Sequence, residues 1–130
     1  MRFNSLIPEL SVRNIEKTKY FYISVLGFCL EYERVEDKFV FLSYGKSQIM
    51  FEEIHDNGWN ISDLEYPLGR GINFSIVSNK LDELYDIIKN KNIKIYRELK
   101  GNIYLCKGKQ EIQREFLIQD PDGYLLRFTE

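Results

Sequence analysis

The sequence predicts an α+β fold made of two βαβββ units that form a concave, half-barrel-like cavity. Three observations lead there. Alternating and helical apolar periods occur in the order strand, helix, three strands, and that order occurs twice. At an offset of 66, Leu10 falls on Ile76, Ile15 on Leu81, Phe21 on Ile87, Tyr22 on Ile88 and Leu30 on Tyr96. The segment between the halves, residues 55–70, carries Gly, Pro, Asn and Asp and has no clean period. The reading is therefore one unit over 1–54, a linker over 55–70 and a second unit over 71–130, all within 1–130. One helix covers one face of each sheet, so the other face needs a second unit. Two such units can curl around a ligand pocket.

The elements follow in order. Leu6 to Val12 alternates as a strand, with Leu10 and Val12 on one face and Ile7, Glu9 and Ser11 on the other. Asn14 suits an N-cap. Ile15 to Leu26 carries a helical stripe of Ile15, Phe21, Tyr22, Val25 and Leu26, and Gly27 sits where a helix-ending glycine belongs. Phe28–Val35, Phe39–Ser43 and Gln48–Ile54 read as strands, with a turn at Tyr44-Gly45. In the second half, Ile72, Phe74 and Ile76 share one strand face, and Asn73, Ser75 and Val77 the other. Asn79 is the expected cap of a helix whose stripe is Leu81, Leu84, Ile87 and Ile88. Ile93–Leu99 reads as a strand, followed by a polar stretch with a short strand near Tyr104–Cys106. Glu115–Gln119 and Tyr124–Phe128 close the chain as a hairpin. Between them, Asp120-Pro121-Asp122-Gly123 has the residues a type I turn prefers.

Composition narrows the function classes. With 44% hydrophobic and 29% charged residues, the 130-residue chain has the makeup of a globular domain, not a disordered one. A net charge of −2 gives no polybasic footprint for nucleic acid. No apolar run approaches a membrane span, and the N-terminus lacks a signal-like apolar region, so a cytoplasmic protein is expected. Cys29 and Cys106 form no CxxC, and a single His cannot complete a zinc set, so both read as free thiols. Charge is uneven. Residues 31–65 hold nine acids and three bases, a local −6, and residues 80–115 hold nine bases and six acids, a local +3. Such blocks are either solvated faces or an acidic wall that attracts a cation.

Three segments in sequence order, PELSV…FYISVLGF (8–28), LDELYDIIK (81–89) and QREFLIQDPDGYLLRF (113–128), make the chain resemble the vicinal oxygen chelate superfamily. That group includes glyoxalase I, extradiol dioxygenases, fosfomycin resistance enzymes and bleomycin resistance proteins. The resemblance implies a metal on the concave face, held from the first strand of each unit and from the last strands. Those positions fall here on Ile7, on Gly71 or Asn73, and on Arg127, with Glu52 at the glyoxalase-type position. Ile7 offers no donor atom, Gly71 no side chain, and Arg127 is a permanent cation. The chain is thus most similar to the metal-free bleomycin resistance proteins, which as homodimers sequester a drug at the subunit interface without modifying it. The resemblance implies no metal, no cofactor, a homodimer and a small-molecule ligand, with neither nucleic acid nor membrane as partner.

The candidate ligand-binding residues are Glu9, Phe39, Phe41, Glu52, Trp59, Asn73, Tyr104, Phe116 and Arg127. A flat cation would meet aromatic faces and carboxylates. Trp59, the only tryptophan, either plugs the end of the pocket or stacks on ligand. Phe39 and Phe41 share a strand face, on core or on cavity. Glu9, Glu52 and Arg127 fall on the cavity side by alternation. Because a buried charge needs a partner, Arg127 is expected to pair with one glutamate and leave the other to the ligand. No catalytic residue is assigned: His55 beside Asp56 is a weak pair, since strand neighbours point apart. The expected function is non-catalytic sequestration of an aromatic, cationic molecule such as a bleomycin-type glycopeptide. The alternatives are a metal-dependent lyase or isomerase of glyoxalase type using Glu52, and a binding module for an unrelated metabolite.

Overall fold

The computed structural model describes residues 2–130. The elements are β1 (Glu9–Val12), α1 (Ile15–Lys19) continuing as a π-helical segment (Tyr20–Val25), β2 (Cys29–Arg34), β3 (Phe39–Tyr44), β4 (Ser47–Glu53), β5 (Asn73–Val77), α2 (Leu81–Asn90), β6 (Ile95–Cys106), β7 (Lys109–Gln119) and β8 (Leu125–Thr129). They make two four-stranded mixed sheets of the same design, in the orders β1-β4-β3-β2 and β5-β8-β7-β6. In each sheet the first strand runs parallel to the last, Glu9 beside Met50 and Ser75 beside Arg127. The expected α+β architecture is the observed one.

Local chemistry explains the helix ends. Asn14 caps α1, its side chain accepting from the Lys17 amide at 3.1 Å, while Glu53 Oε1 accepts from the Ile15 amide at 3.0 Å. The expected single α-helix instead widens after Lys19, where the Leu26 amide reaches back five residues to the Phe21 carbonyl at 3.0 Å. The wider turn lets Phe21, Tyr22, Val25 and Leu26 all lie buried. At α2 the capping residue is Lys80, not Asn79, and the Ser78 hydroxyl accepts from the Lys80 amide at 3.1 Å.

The largest departure is the β6–β7 hairpin. The sequence suggested strands over Ile93–Leu99 and Glu115–Gln119 around a polar stretch with a short strand near Tyr104–Cys106, but β6 and β7 run unbroken for 12 and 11 residues. Register shifts between Ile95 and Lys100 disturb the alternation, and beyond them both faces of the ladder meet solvent, so no apolar period marks it. Lys107 (φ 50°) and Gly108 (φ 80°) close it as the two left-handed residues of a type I′ hairpin turn.

One core joins the two sheets. Its members lie on the helix-bearing faces: Leu10, Val12, Leu42, Ile49 and Phe51 from the first sheet, Ile76, Phe116, Ile118, Leu126 and Phe128 from the second. Each fully buried side chain of this kind contributes roughly 1.5–3 kcal/mol. Polar contacts tie the halves together along the same seam. Asp122 accepts from both the backbone amide and Nε of Arg13, at 3.0 and 2.8 Å. The Tyr124 hydroxyl donates to the Ser11 carbonyl at 2.8 Å, and the Tyr44 and Ser78 hydroxyls are 2.7 Å apart. The turn expected at 120–123 is present: the Gly123 amide donates to the Asp120 carbonyl at 3.0 Å, and Asp120 Oδ1 accepts from the Asp122 and Tyr124 amides. Because the helix-bearing faces share this core, the opposite face of each sheet has no helix over it.

Candidate functional site: two open sheet faces

Strand alternation sets what each open face displays. On the first sheet, Glu9, Ser11, Phe39, Phe41, Met50 and Glu52 share the face opposite the core, and their ladder partners confirm the register. Phe39 and Phe41 therefore point away from the core, yet both are buried. The Tyr32 ring stacks on Phe41 at 5.4 Å and 11°, Phe3 meets Phe41 edge-on at 5.2 Å, and the Arg34 guanidinium lies 3.9 Å over Phe39. The two phenylalanines are the floor of this face, not its contact surface. A ligand arriving here meets Phe3, Tyr32 and Arg34 first.

Glu9 and Glu52 carry the negative charge of that face. Burial pushes the Glu9 carboxyl up, the neighbouring Glu52 charge pushes the same way, and Arg34 opposes both. Glu52 is 24% exposed and its Oε1 lies 2.7 Å from His55 Nε2. His55 thus partners Glu52, three residues back, and not its neighbour Asp56.

On the second sheet, Asn73, Arg97, Lys100, Tyr104, Glu115 and Arg127 line a concavity of about 440 Å³. Glu115 is 1% exposed. It accepts a short hydrogen bond from the Tyr104 hydroxyl, its second oxygen lies 3.1 Å from the same hydroxyl, and Arg127 Nη1 is 3.9 Å from Oε2. This corrects the expected pairing. Arg127 is neutralised by Glu115 on the adjacent strand, whereas Glu9 and Glu52 lie on the other sheet. Among the described residues Arg127 Nε is buried without a hydrogen-bond partner, so the pairing leaves one donor unused.

Phe116 is a second correction. It is fully buried on the core side, 5.6 Å from Phe128 and 5.0 Å from Tyr85. Its neighbour Glu115 takes the open-face position, because successive strand residues point to opposite faces. Trp59 is 95% exposed in the connecting segment and belongs to neither face. Of the candidates, Asn73, Tyr104 and Arg127 line one concavity, and Glu115, Tyr32 and Phe3, which were not candidates, stand on the same open faces. Glu115 was recoverable from the alternation of Phe116, Ile118 and their neighbours; the other two needed the register.

The positions that hold a metal in the resembled superfamily do not fit one here. Ile7 has no donor, Arg127 is a cation engaged with Glu115, and Glu52 is held by His55 on the other sheet. Among the described residues no three His, Cys, Asp or Glu side chains cluster to hold an ion.

The family's sequence model for the glyoxalase/bleomycin resistance protein/dioxygenase superfamily matches residues 3–128. The chain belongs to that superfamily. Among superfamily relatives, a protein named bleomycin resistance protein from Geobacillus stearothermophilus is 32% identical over 132 residues, covering 95% of this chain and 94% of that one. A protein of the same name from Staphylococcus aureus gives the same figures. Solved structures share the fold. A glyoxalase/bleomycin resistance protein/dioxygenase from Alicyclobacillus acidocaldarius aligns with a TM-score of 0.67 at 23% identity, covering 99% of this chain and 93% of that one. TioX from Micromonospora sp. ML1 gives 0.73 at 17% identity, covering 98% of each.

Proposed function

We propose that this superfamily member binds a bleomycin-type glycopeptide without altering it, and acts by stoichiometric sequestration in the cytoplasm. The observation that carries the reading is Arg127, paired with Glu115, at a position where the resembled superfamily has a metal donor, in a chain 32% identical to proteins named for bleomycin resistance. A neutralised arginine no longer repels a cation, and Glu9 remains to attract one, next to Glu52, one oxygen of which contacts His55. Arg34 and Tyr32 supply planar surfaces for stacking, worth about 0.5–1.5 kcal/mol per pair beyond burial.

The binding unit on this reading is a homodimer. One open face carries Glu9 and Glu52, and the other carries Arg97 and Lys100 beside Glu98 and the Glu115–Arg127 pair, an excess of one positive charge. Apposing the acidic face of one protomer to the basic face of its partner, twice about a two-fold axis, gives two equivalent pockets and matches the charges. Within the pocket, Glu9, Glu52, Asn73, Tyr104 and Arg127 contact the ligand, over a floor of Phe39 and Phe41. Trp59, on its exposed segment, folds over the bound molecule.

Calorimetric titration with bleomycin tests this. The expected result is one ligand per chain, with affinity falling as salt rises, since exposed charges are screened over about 10 Å at 0.1 M. No binding, or binding insensitive to salt and to Glu9→Gln with Glu52→Gln, would return the site to an unrelated metabolite.

A further inference from the structure

A crevice of about 930 Å³ lies off both open faces. It lies on the helix-bearing side, where the end of the π-helical segment, the β3–β4 turn and the start of α2 meet. Its size is within the range of roughly 300–1,000 Å³ usual for small-molecule sites. We infer that this crevice is a second ligand site, for an amphipathic carboxylate with an unbranched apolar tail.

Apolar side chains form the wall. Val25, Leu26 and Leu84 are buried at its base, while Ile87 on α2 stays 41% exposed. Its apolar surface is covered by none of the described residues, and an aliphatic tail laid along it removes it from water. The hydrogen bond between the Tyr44 and Ser78 hydroxyls joins the two halves at the crevice, so it is a fixed feature of the junction and not a gap between loosely placed parts.

The shape comes from local backbone geometry. The π-helical turn ends with the Leu26 amide bonded to the Phe21 carbonyl, and the Phe28 amide to the Tyr22 carbonyl at 2.8 Å. Gly27 between them is left-handed (φ 87°), and a Cβ there would meet nothing within 4 Å. The wall is thus pulled back at this point. Isolated π-helical turns are uncommon and recur at functional sites.

Charge selects the head group. Lys46 and Lys80 stand at the rim, both exposed, and neither makes an ion pair among the described residues; Glu83, at the same rim, also has none. The rim therefore has an excess of one positive charge over an apolar wall, an arrangement that favours an anionic head over a cationic one. This is the opposite preference from the cation proposed for the open faces. The two sites are distinguishable by ligand charge alone, and this inference does not rest on that reading.

Decanoate and decyltrimethylammonium, two probes with the same tail and opposite heads, provide the test. Each is titrated into the full-length protein below its micelle concentration, with backbone amide shifts as readout. Decanoate is expected to shift Gly27, Gly45 and Val77 saturably and to bind at least about tenfold more tightly than the ammonium probe. Lys46→Ser with Lys80→Ser should weaken decanoate about tenfold, and Ile87→Glu should abolish its shifts. All three positions are exposed, so the fold is retained. Equal affinity for the two probes, an unchanged double variant, or shifts confined to Asn102 and Leu117 on the open face would overturn the inference. Bleomycin titration of the double variant is expected to match wild type, which separates failure of this site from failure of the open-face site.

Discussion

The Tyr22 hydroxyl donates a 2.6 Å hydrogen bond to Asp120 Oδ2, linking the first helix to the β7–β8 turn across 98 residues of sequence. Both groups are buried. Burial pushes the Asp120 carboxyl up to about 6, the nearby Asp122 charge adds to the rise, and the hydrogen bonds from Tyr22, Tyr124 and Asp122 oppose it. The same burial raises the Tyr22 hydroxyl well above its ordinary range. Tyr22→Phe removes a hydrogen bond to an acid group at the seam between the halves. The expected cost is about 1.5–3 kcal/mol, read from urea unfolding. A loss below about 0.5 kcal/mol would show that the bond is replaced.

Asp120 also sets a pH dependence. Its folded carboxyl holds the proton to about pH 6, whereas the unfolded one releases it near 3.8. The folded state binds more protons between those values, so this group's contribution is full below about pH 4 and is lost as pH rises through 6. The shift of about two units corresponds to roughly 3 kcal/mol. Asp120→Asn should flatten that slope, so wild type minus variant stability declines from pH 4 to 6 and is level above. A difference that rises with pH would contradict the assignment.

Gly123 is expected to resist substitution. It is left-handed (φ 97°), and a Cβ there would sit 2.5 Å from Pro67 Cβ and 2.7 Å from its Cα. The connecting segment packs here, with the Leu68 amide donating to the Asp122 carbonyl at 2.8 Å. Gly123→Ala combines backbone strain with a backbone clash, and a loss of more than about 1 kcal/mol is expected in thermal or urea unfolding.

Glu115 and Trp59 give contrasting expectations. Glu115→Ala removes the buried acceptor that holds Tyr104 and Arg127, and because Arg127 is 35% exposed and can be solvated, a loss of about 1–3 kcal/mol is expected. Trp59→Ala should leave stability within about 0.5 kcal/mol, because the side chain is 95% exposed. On the proposed reading it weakens bleomycin binding by about tenfold, near 1.4 kcal/mol. Unchanged affinity would remove Trp59 from the site.

The fold was legible in the sequence because the 66-residue repeat, the Asn14 cap and the Asp120–Gly123 turn are all local signals. The site was legible only in part. Asn73 and Arg127 could be placed because short, half-buried strands alternate cleanly. Phe116 was misplaced by one residue of register, which exchanges core for cavity and hid Glu115 in the process. The covering of Phe39 and Phe41 could not be read, since Tyr32 and Arg34 reach them only through a register shift in β2 between Leu30 and Tyr32, and Phe3 comes from a segment before β1 that crosses the sheet. There Asn4 and the Gln48 side chain bond at 2.7 Å. The length of the β6–β7 hairpin was hidden for a related reason: an arm with solvent on both faces has no apolar period to detect.

Native mass spectrometry of the protein mixed with equimolar bleomycin tests the central claim most directly, because it reads assembly, stoichiometry and ligand mass together. The account predicts a species of two chains and two ligands, with the released bleomycin at its original mass. A 15.6 kDa monomer carrying no ligand, or bleomycin released with an altered mass, would contradict it.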